Sequence, residues 1–363
     1  MEPMINPHVS RLNRYLPFSV SHDQIYEEYQ SDQDGKSLET IALQYVLRAL
    51  REGARCIILT GDAGHGKTHL CRRLIEGHLK YQTAESRLLL LEKCDGREAI
   101  QPASGSGIAL RIHKDFSEID TSRAYQFIEE HGENDEEALI ICANEGRLRA
   151  VISAENSGDV CRKLKELFRS TFVTGKSSLD GKFHVVNLNF QSVASESSAT
   201  GTSLVRRAMN DWVGDGRRWA TTSCGQCSLK PECPIHWNRL MLGDNGAFSE
   251  PRMEKLEALF STVERLGYVI TIREMLMLIS YIVTGGLTCA DVRDKVRRHT
   301  ERGWQSEYAF YNLLFGNPEE ISTERLFRGI PILQAINRLD PGKTARRTVD
   351  ERLLNGDEIF PAG

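Results

Sequence analysis

The chain has 363 residues, 40% of them apolar and 26% charged, so it can bury a sizeable core and is not the polar, charge-rich kind that stays unfolded. Its net charge of -4 and pI near 6.2 exclude a global attraction to nucleic acid and leave only local basic patches for such contact. The length exceeds that of a usual single domain, so two domains are expected.

The opening residues, Met1 to His8, lack the basic-then-apolar pattern of a signal peptide, and no apolar run is long enough to span a bilayer. A cytoplasmic protein without membrane contact is expected. Residues 1–35 show no clear period and read as an N-terminal extension. Ser37 to Glu52 then places Ile41, Leu43, Val46, Leu47 and Leu50 at helical spacing. Five short apolar runs follow: Cys56 to Thr60, Arg87 to Leu91, Ile108 to Ile112, Ala138 to Ala143 and His184 to Leu188. Separated by helical stretches, they predict an α/β domain over 36–200, a buried parallel sheet with crossover helices. Ser192 to Ser203 is rich in Ser and Thr and suits a linker.

Strand-like runs end near residue 200. Pro251 to Leu266 reads as a helix stopped by Gly267, and Thr271-Ile272-Arg273-Glu274 is a capping box opening another helix that Gly285-Gly286 closes. A mostly helical lid over 201–300 and a helical extension over 301–363 are expected.

Residues 61–68, Gly61-Asp62-Ala63-Gly64-His65-Gly66-Lys67-Thr68, fit G-x-x-x-x-G-K-[ST], with an apolar strand before and a helical pattern after. Gly61, Gly64 and Gly66 let the backbone wrap closely enough for its N–H groups to bind phosphate oxygens at a helix N-terminus. Lys67 is placed for the β- and γ-phosphates of ATP, and Thr68 for a magnesium ion, with Asp62, Ala63, His65 and His69 completing the contact segment. Kinases, GTPases and non-hydrolysing switches share this motif, so hydrolysis needs further residues.

Those residues are sought where other strands end. If the strands run in sequence order, Asp115, beyond the Ile108 run, is the magnesium carboxylate and Asn144, beyond the Ala138 run, senses the γ-phosphate. The alternative gives Glu145 the key role, and Asp115 could instead cap a helix.

With Lys114-Asp-Phe-Ser-Glu118, Ala143-Asn-Glu-Gly-Arg-Leu148 and Thr271-Ile-Arg-Glu274, the glycine motif resembles the AAA+ ATPases of prokaryotic defence loci, in particular the ATPase subunit of phosphorothioation-dependent DNA restriction systems. The resemblance implies an ATPase with Asp115 as Walker B aspartate, Asn144 as sensor 1, Arg273 as sensor 2, and Arg162 or Arg169 as an arginine finger acting in trans. It also implies a homo-oligomer, other defence-complex subunits as partners, and possible DNA contact. Phe116 departs from the pattern, since a glutamate usually follows the aspartate, and Glu118 or Glu145 would have to substitute. No nuclease, helicase or transferase motif is present, so effector chemistry is expected in a separate subunit.

Five of the nine cysteines (Cys56, Cys71, Cys94, Cys142, Cys161) lie in apolar or helical segments as core thiols would. In contrast, Cys224, Cys227, Cys233 and His236 crowd into one short polar loop, 224–236. Their C-x2-C-x5-C-x2-H spacing suits a structural zinc site. An iron–sulfur cluster with Cys289 or His236 as fourth ligand, or unliganded thiols, are the alternatives. Arg206-Arg207, Arg217-Arg218 beside Trp219, and the Arg293–His299 segment are basic clusters of a kind that can bind a DNA backbone, but Asp211, Asp215, Asp291 and Asp294 interleave with them, so an ordinary salt-bridged surface is the favoured reading.

Overall fold

Cys56–Thr60 (β1) is buried along its whole length, as a run of apolar residues without alternation requires. It is flanked on both sides by parallel partners, Glu137–Ala143 (β3) and Phe183–Asn187 (β5). Ala109–His113 (β2) adds in parallel beyond β3, and the two-residue Ser178–Leu179 (β4) pairs antiparallel with β5. The order β2-β3-β1-β5-β4 is therefore a five-stranded, mostly parallel sheet. The computed structural model describes residues 5–20, 38–117, 119–153, 158–196, 201–220, 224–243, 249–298, 303–316 and 322–339. Glu118 and His299 lie outside them, as do parts of the expected extensions 1–35 and 301–363.

The period of two along each strand divides the core between the faces. Ile57, Leu59, Ile140 and Cys142 pack beneath Ile41–Arg51 (α2), Lys67–Gly77 (α3) and Thr83–Glu92 (α4). Ile58, Leu139, Ile141 and Val185 face Thr121–His131 (α5), Glu145–Ile152 (α6) and Asp159–Thr174 (α7). The expected strand at Arg87 to Leu91 is instead inside α4. Gln82 and Glu85 form a capping box at its start, and the run Leu88 to Leu91 contains no β-branched residue, so local preference favours helix over strand.

The chain separates into two compact units, 26–191 with the sheet, and 1–25 joined by 192–363. The second unit is helical. It contains Pro7–Asn13 (α1), Leu204–Met209 (α8), Gly216–Ala220 (α9), Pro234–Gly243 (α10), Ser249–Arg265 (α11), Ile272–Thr284 (α12), Cys289–Arg298 (α13), Phe310–Phe315 (α14), Glu324–Gly329 (α15) and Pro331–Leu339 (α16). At its centre, α12 is buried from Met275 to Thr284 and starts with the expected Thr271/Glu274 box. The side chain of Asn238 joins three elements, donating to the carbonyls of Val283 (3.2 Å) and Tyr308 (2.8 Å) and accepting from Phe310 N–H at 2.8 Å. The first helix packs here too: Asn13 donates to the Leu287 carbonyl at 2.9 Å and accepts from Thr284 Oγ1 at 2.9 Å.

Residues 272–298 taken as one helix would be long and apolar enough to cross a membrane. Gly285 and Gly286, at φ +59° and +77°, divide the segment into α12 and α13. The thirteen residues of α12 rise only about 20 Å, short of the roughly 30 Å hydrocarbon core of a bilayer.

Candidate functional site

The parallel strands β1, β2, β3 and β5 end on one edge of the sheet, and the candidate residues of the first unit gather on the segments that leave it. From β1 the chain turns through the glycine loop into α3. Gly61 has φ +138°, and a Cβ there would lie 2.9 Å from Asn189 Oδ1 and 3.2 Å from Leu188 Cβ, so both backbone conformation and space demand glycine. Gly66, at φ +78°, caps α3 without a side-chain hydrogen bond, which aims the N–H groups and positive dipole of the first turn at the loop. Thr68 and His69 lie in that turn, half-buried, while Asp62 and Ala63 are exposed and His65 is buried.

Lys67 reaches back over the loop. Its ammonium donates to the carbonyls of Gly61 (2.6 Å) and Asp62 (2.9 Å), and Asn144 Oδ1, just past the neighbouring strand β3, accepts at 3.4 Å. Asparagine is a preferred N-cap, yet Asn144 occupies the N-cap of α6 without capping it; its carbonyl is turned to Lys67 instead. Two residues upstream, Cys142 meets Cys71 of α3 at 3.2 Å between sulfurs, both buried under the loop. The bond to Cys142, with burial, raises the Cys71 thiol well above its ordinary range.

Asp115 follows β2, one strand farther from the loop than Asn144. It is exposed and accepts from the N–H (3.0 Å) and hydroxyl of Ser117. The helix cap that was the alternative role for Asp115 is supplied by Asp120, which accepts from Ser122 and Arg123 N–H, each at 3.0 Å. Phe116 is fully buried, its N–H bonded to the Cys142 carbonyl at 2.9 Å and its ring edge-on to His113 at 5.1 Å. The residue that departs from the expected glutamate thus anchors the Asp115 turn in the core. Glu145 opens α6 and is ion-paired with Arg149 at 2.8 Å. Arg162 and Arg169 are exposed on α7, with Arg162 paired to Asp159 at 3.1 Å.

One loop contact was not anticipated from the sequence. Asn189, just past β5, accepts from Asp62 N–H at 2.8 Å and donates to the Asp62 carboxylate at 3.3 Å, while its own N–H is held by Asn187 Oδ1 at 3.0 Å. The pattern Asn187-Leu188-Asn189 after a buried strand is its only signature.

In the second unit, Arg273 lies in the first turn of α12. Arg206 is paired with Glu257 and Glu250, Arg217 with Asp215 at 3.1 Å, and Arg218 with Asp211 at 3.2 Å. Two of the expected basic clusters are therefore interlocked with carboxylates. Cys224, Cys227, Cys233 and His236 are brought to one small cavity of about 40 Å³, and Cys289 from α13 joins them there. Burial raises the thiols of Cys224 and Cys289, and pushes that of Cys233 up to about 12. Among the described residues, no three His, Cys, Asp or Glu side chains already meet as closely as a single bound ion requires.

The chain matches no protein-family model, and neither a curated protein nor a solved structure matches it. The fold class, a mixed α/β unit with a mostly parallel sheet and a separate helical unit, rests on the strand order and helices themselves.

Proposed function

We propose that the chain binds ATP with magnesium and hydrolyses it, as an AAA+-like subunit of a DNA-directed prokaryotic defence complex. The observation that carries the ATPase reading is the position of Lys67, held between the Gly61 and Asp62 carbonyls and Asn144 at the carboxyl ends of two adjacent parallel strands. This edge is where ligands of open α/β sheets bind. Here Lys67 neutralises charge on the β- and γ-phosphates, while backbone N–H groups of 61–68 hold phosphate oxygens. Thr68 and Asp115 supply oxygen to magnesium, whose charge offsets that developing on the phosphates. Asn144 orients the attacking water, and Glu145 is the nearest carboxylate in sequence to accept its proton. Arg273, and Arg162 or Arg169 from a second copy, would contribute further positive charge.

The defence role, the effector partner, DNA contact, homo-oligomeric assembly and cytoplasmic location rest on the resemblance of motif order alone. Steady-state phosphate release with magnesium tests the ATPase reading. Loss of turnover in Lys67→Ala and Asp115→Ala is expected. Failure of the wild-type protein to bind ATP in calorimetry would overturn it.

A non-hydrolysing nucleotide switch is the second reading. The buried Phe116 where a catalytic glutamate is usual, and the engagement of Glu145 by Arg149, favour it. Tight ATP binding without phosphate release, with DNA and partner subunits present, would select it.

A further inference from the structure

The fold gathers four cysteines, three from the loop before α10 and one from the first residue of α13, around one cavity whose other walls include Val9, Leu229, Ile235 and Val292. Each of the four lies within electrostatic reach of at least one other: Cys224 of Cys227, Cys233 of Cys224 and Cys289, and Cys289 of Cys224 and Cys227. The sulfurs are also supplied with N–H donors. Asn6 Nδ2 donates to Cys224 Sγ at 3.2 Å, the backbone N–H of Asn6 to Cys289, and the backbone N–H groups of Ile235 and His236 to Cys233. A neutral thiol is a weak acceptor, so such a set of donors on sulfur suits thiolates bound to a metal. Lys230 and Arg239 add positive charge near Cys224.

We propose that Cys224, Cys227, Cys233 and Cys289 hold a [4Fe–4S] cluster, with His236 outside the ligand set. Two observations separate this from the zinc site that the loop spacing alone suggests. A tetrahedral zinc ion touches all four sulfurs at about 2.3 Å and leaves no free space between them. The space here is about 40 Å³, whereas roughly 10–15 Å³ already admits a water, so the sulfurs are not drawn in around a single point. The fourth sulfur also comes from a distant helix, and Cys233 is followed by Pro234, as in the Cys-Pro run of cluster-binding proteins. The cluster would tie the segment at Asn6 and Val9, the loop and α13 into one unit. The proposal stands apart from the nucleotide reading, since no residue of it lies in the 26–191 unit.

The test is metal and acid-labile sulfide analysis of the full-length wild-type chain, isolated without oxygen and again after incubation with ferrous iron, sulfide and a thiol reductant. About four iron and four sulfide per chain, with broad visible absorbance that dithionite bleaches, are expected in one or both samples. One zinc per chain without iron, or no iron even after incubation, would overturn the proposal. The ligand set is read from the same assay: Cys289→Ser should lose most of the iron and His236→Ala should keep it. The reverse pattern would overturn the assignment of Cys289. Because the wild-type content requires no variant to fold, it decides the cluster by itself, and far-ultraviolet circular dichroism separates iron loss from unfolding in the variants.

Discussion

Asn189 stands against Gly61 so closely that no side chain fits between them, and from that position it holds both the N–H and the carboxylate of Asp62. The first turn of the glycine loop is therefore fixed from β5 as well as from its own strand.

Asn189→Ala should loosen this turn. The lost hydrogen bonds are worth about 0.5–1.5 kcal/mol each, and ATP affinity should fall several-fold with little change in overall melting. Gly61→Ala should be worse, because the left-handed backbone adds about 1–3 kcal/mol of strain to the collision with Asn189. Calorimetric titration of ATP into each variant checks this, and unchanged affinity in both would remove Asn189 from the site.

Lys67 and Asn144 are expected to separate binding from turnover. Lys67→Ala should lower turnover by about 10²–10³, and Lys67→Arg should not restore it, since a planar fork replaces a compact ammonium. Asn144→Ala should reduce turnover while leaving ATP affinity within a few-fold, because its carbonyl meets Lys67 at the edge of the loop. Phosphate-release kinetics beside equilibrium binding measure the two effects independently.

Phe116→Glu would place the usual AAA+ residue after Asp115, and it should destroy stability without creating activity. Phe116 is fully buried against His113 and Phe127. Losing a buried phenylalanine costs about 3–5 kcal/mol, and an unpaired carboxylate in its place adds to that. Urea unfolding should show the loss, and a stable, faster enzyme would refute the anchoring role given to Phe116.

Glu76 supplies a pH dependence. Burial pushes its carboxyl up, but Arg72, the Ser86 hydroxyl (3.0 Å) and Arg73 together outweigh burial and hold it below its ordinary value. A depressed carboxylate stabilises the fold fully above its unfolded pKa, about 4.3, and that contribution disappears as pH falls through the lower folded value. Urea midpoints measured from pH 6 downward should drop more steeply for the wild type than for Glu76→Gln. Equal slopes would mean that the Arg72–Glu76–Ser86 cluster contributes nothing on the acid side.

The parts of this architecture written in contiguous residues were legible in the sequence. Cys56 to Thr60 followed by the glycine motif identified β1 and α3, and the Thr271/Glu274 box identified α12, because each pattern depends on neighbours only a few positions apart. Leu88 to Leu91 misled for the opposite reason: a short apolar run has no period to distinguish strand from helix, and the deciding cap at Gln82 lies upstream. Asn189 could not be assigned, since it matters only through contacts made across the chain to Asp62, and Cys289 was legible only as one of two candidates for a fourth ligand, because the fold alone brings it to the loop at Cys224. The zinc-like spacing of Cys224, Cys227, Cys233 and His236 presented a complete local set, so nothing in the neighbouring residues chose between His236 and the distant Cys289.

The packing of α1 against α12 also sets a schedule for biosynthesis. Asn13 and its acceptor Leu287 are 274 residues apart, so at roughly 5–20 residues per second the first helix leaves the ribosome tens of seconds before its partner exists. The sheet unit, complete by residue 191, can fold in that interval. This helix is thus buried long after it is made, and until then its apolar face, Val9 and Leu12, is open to chaperones.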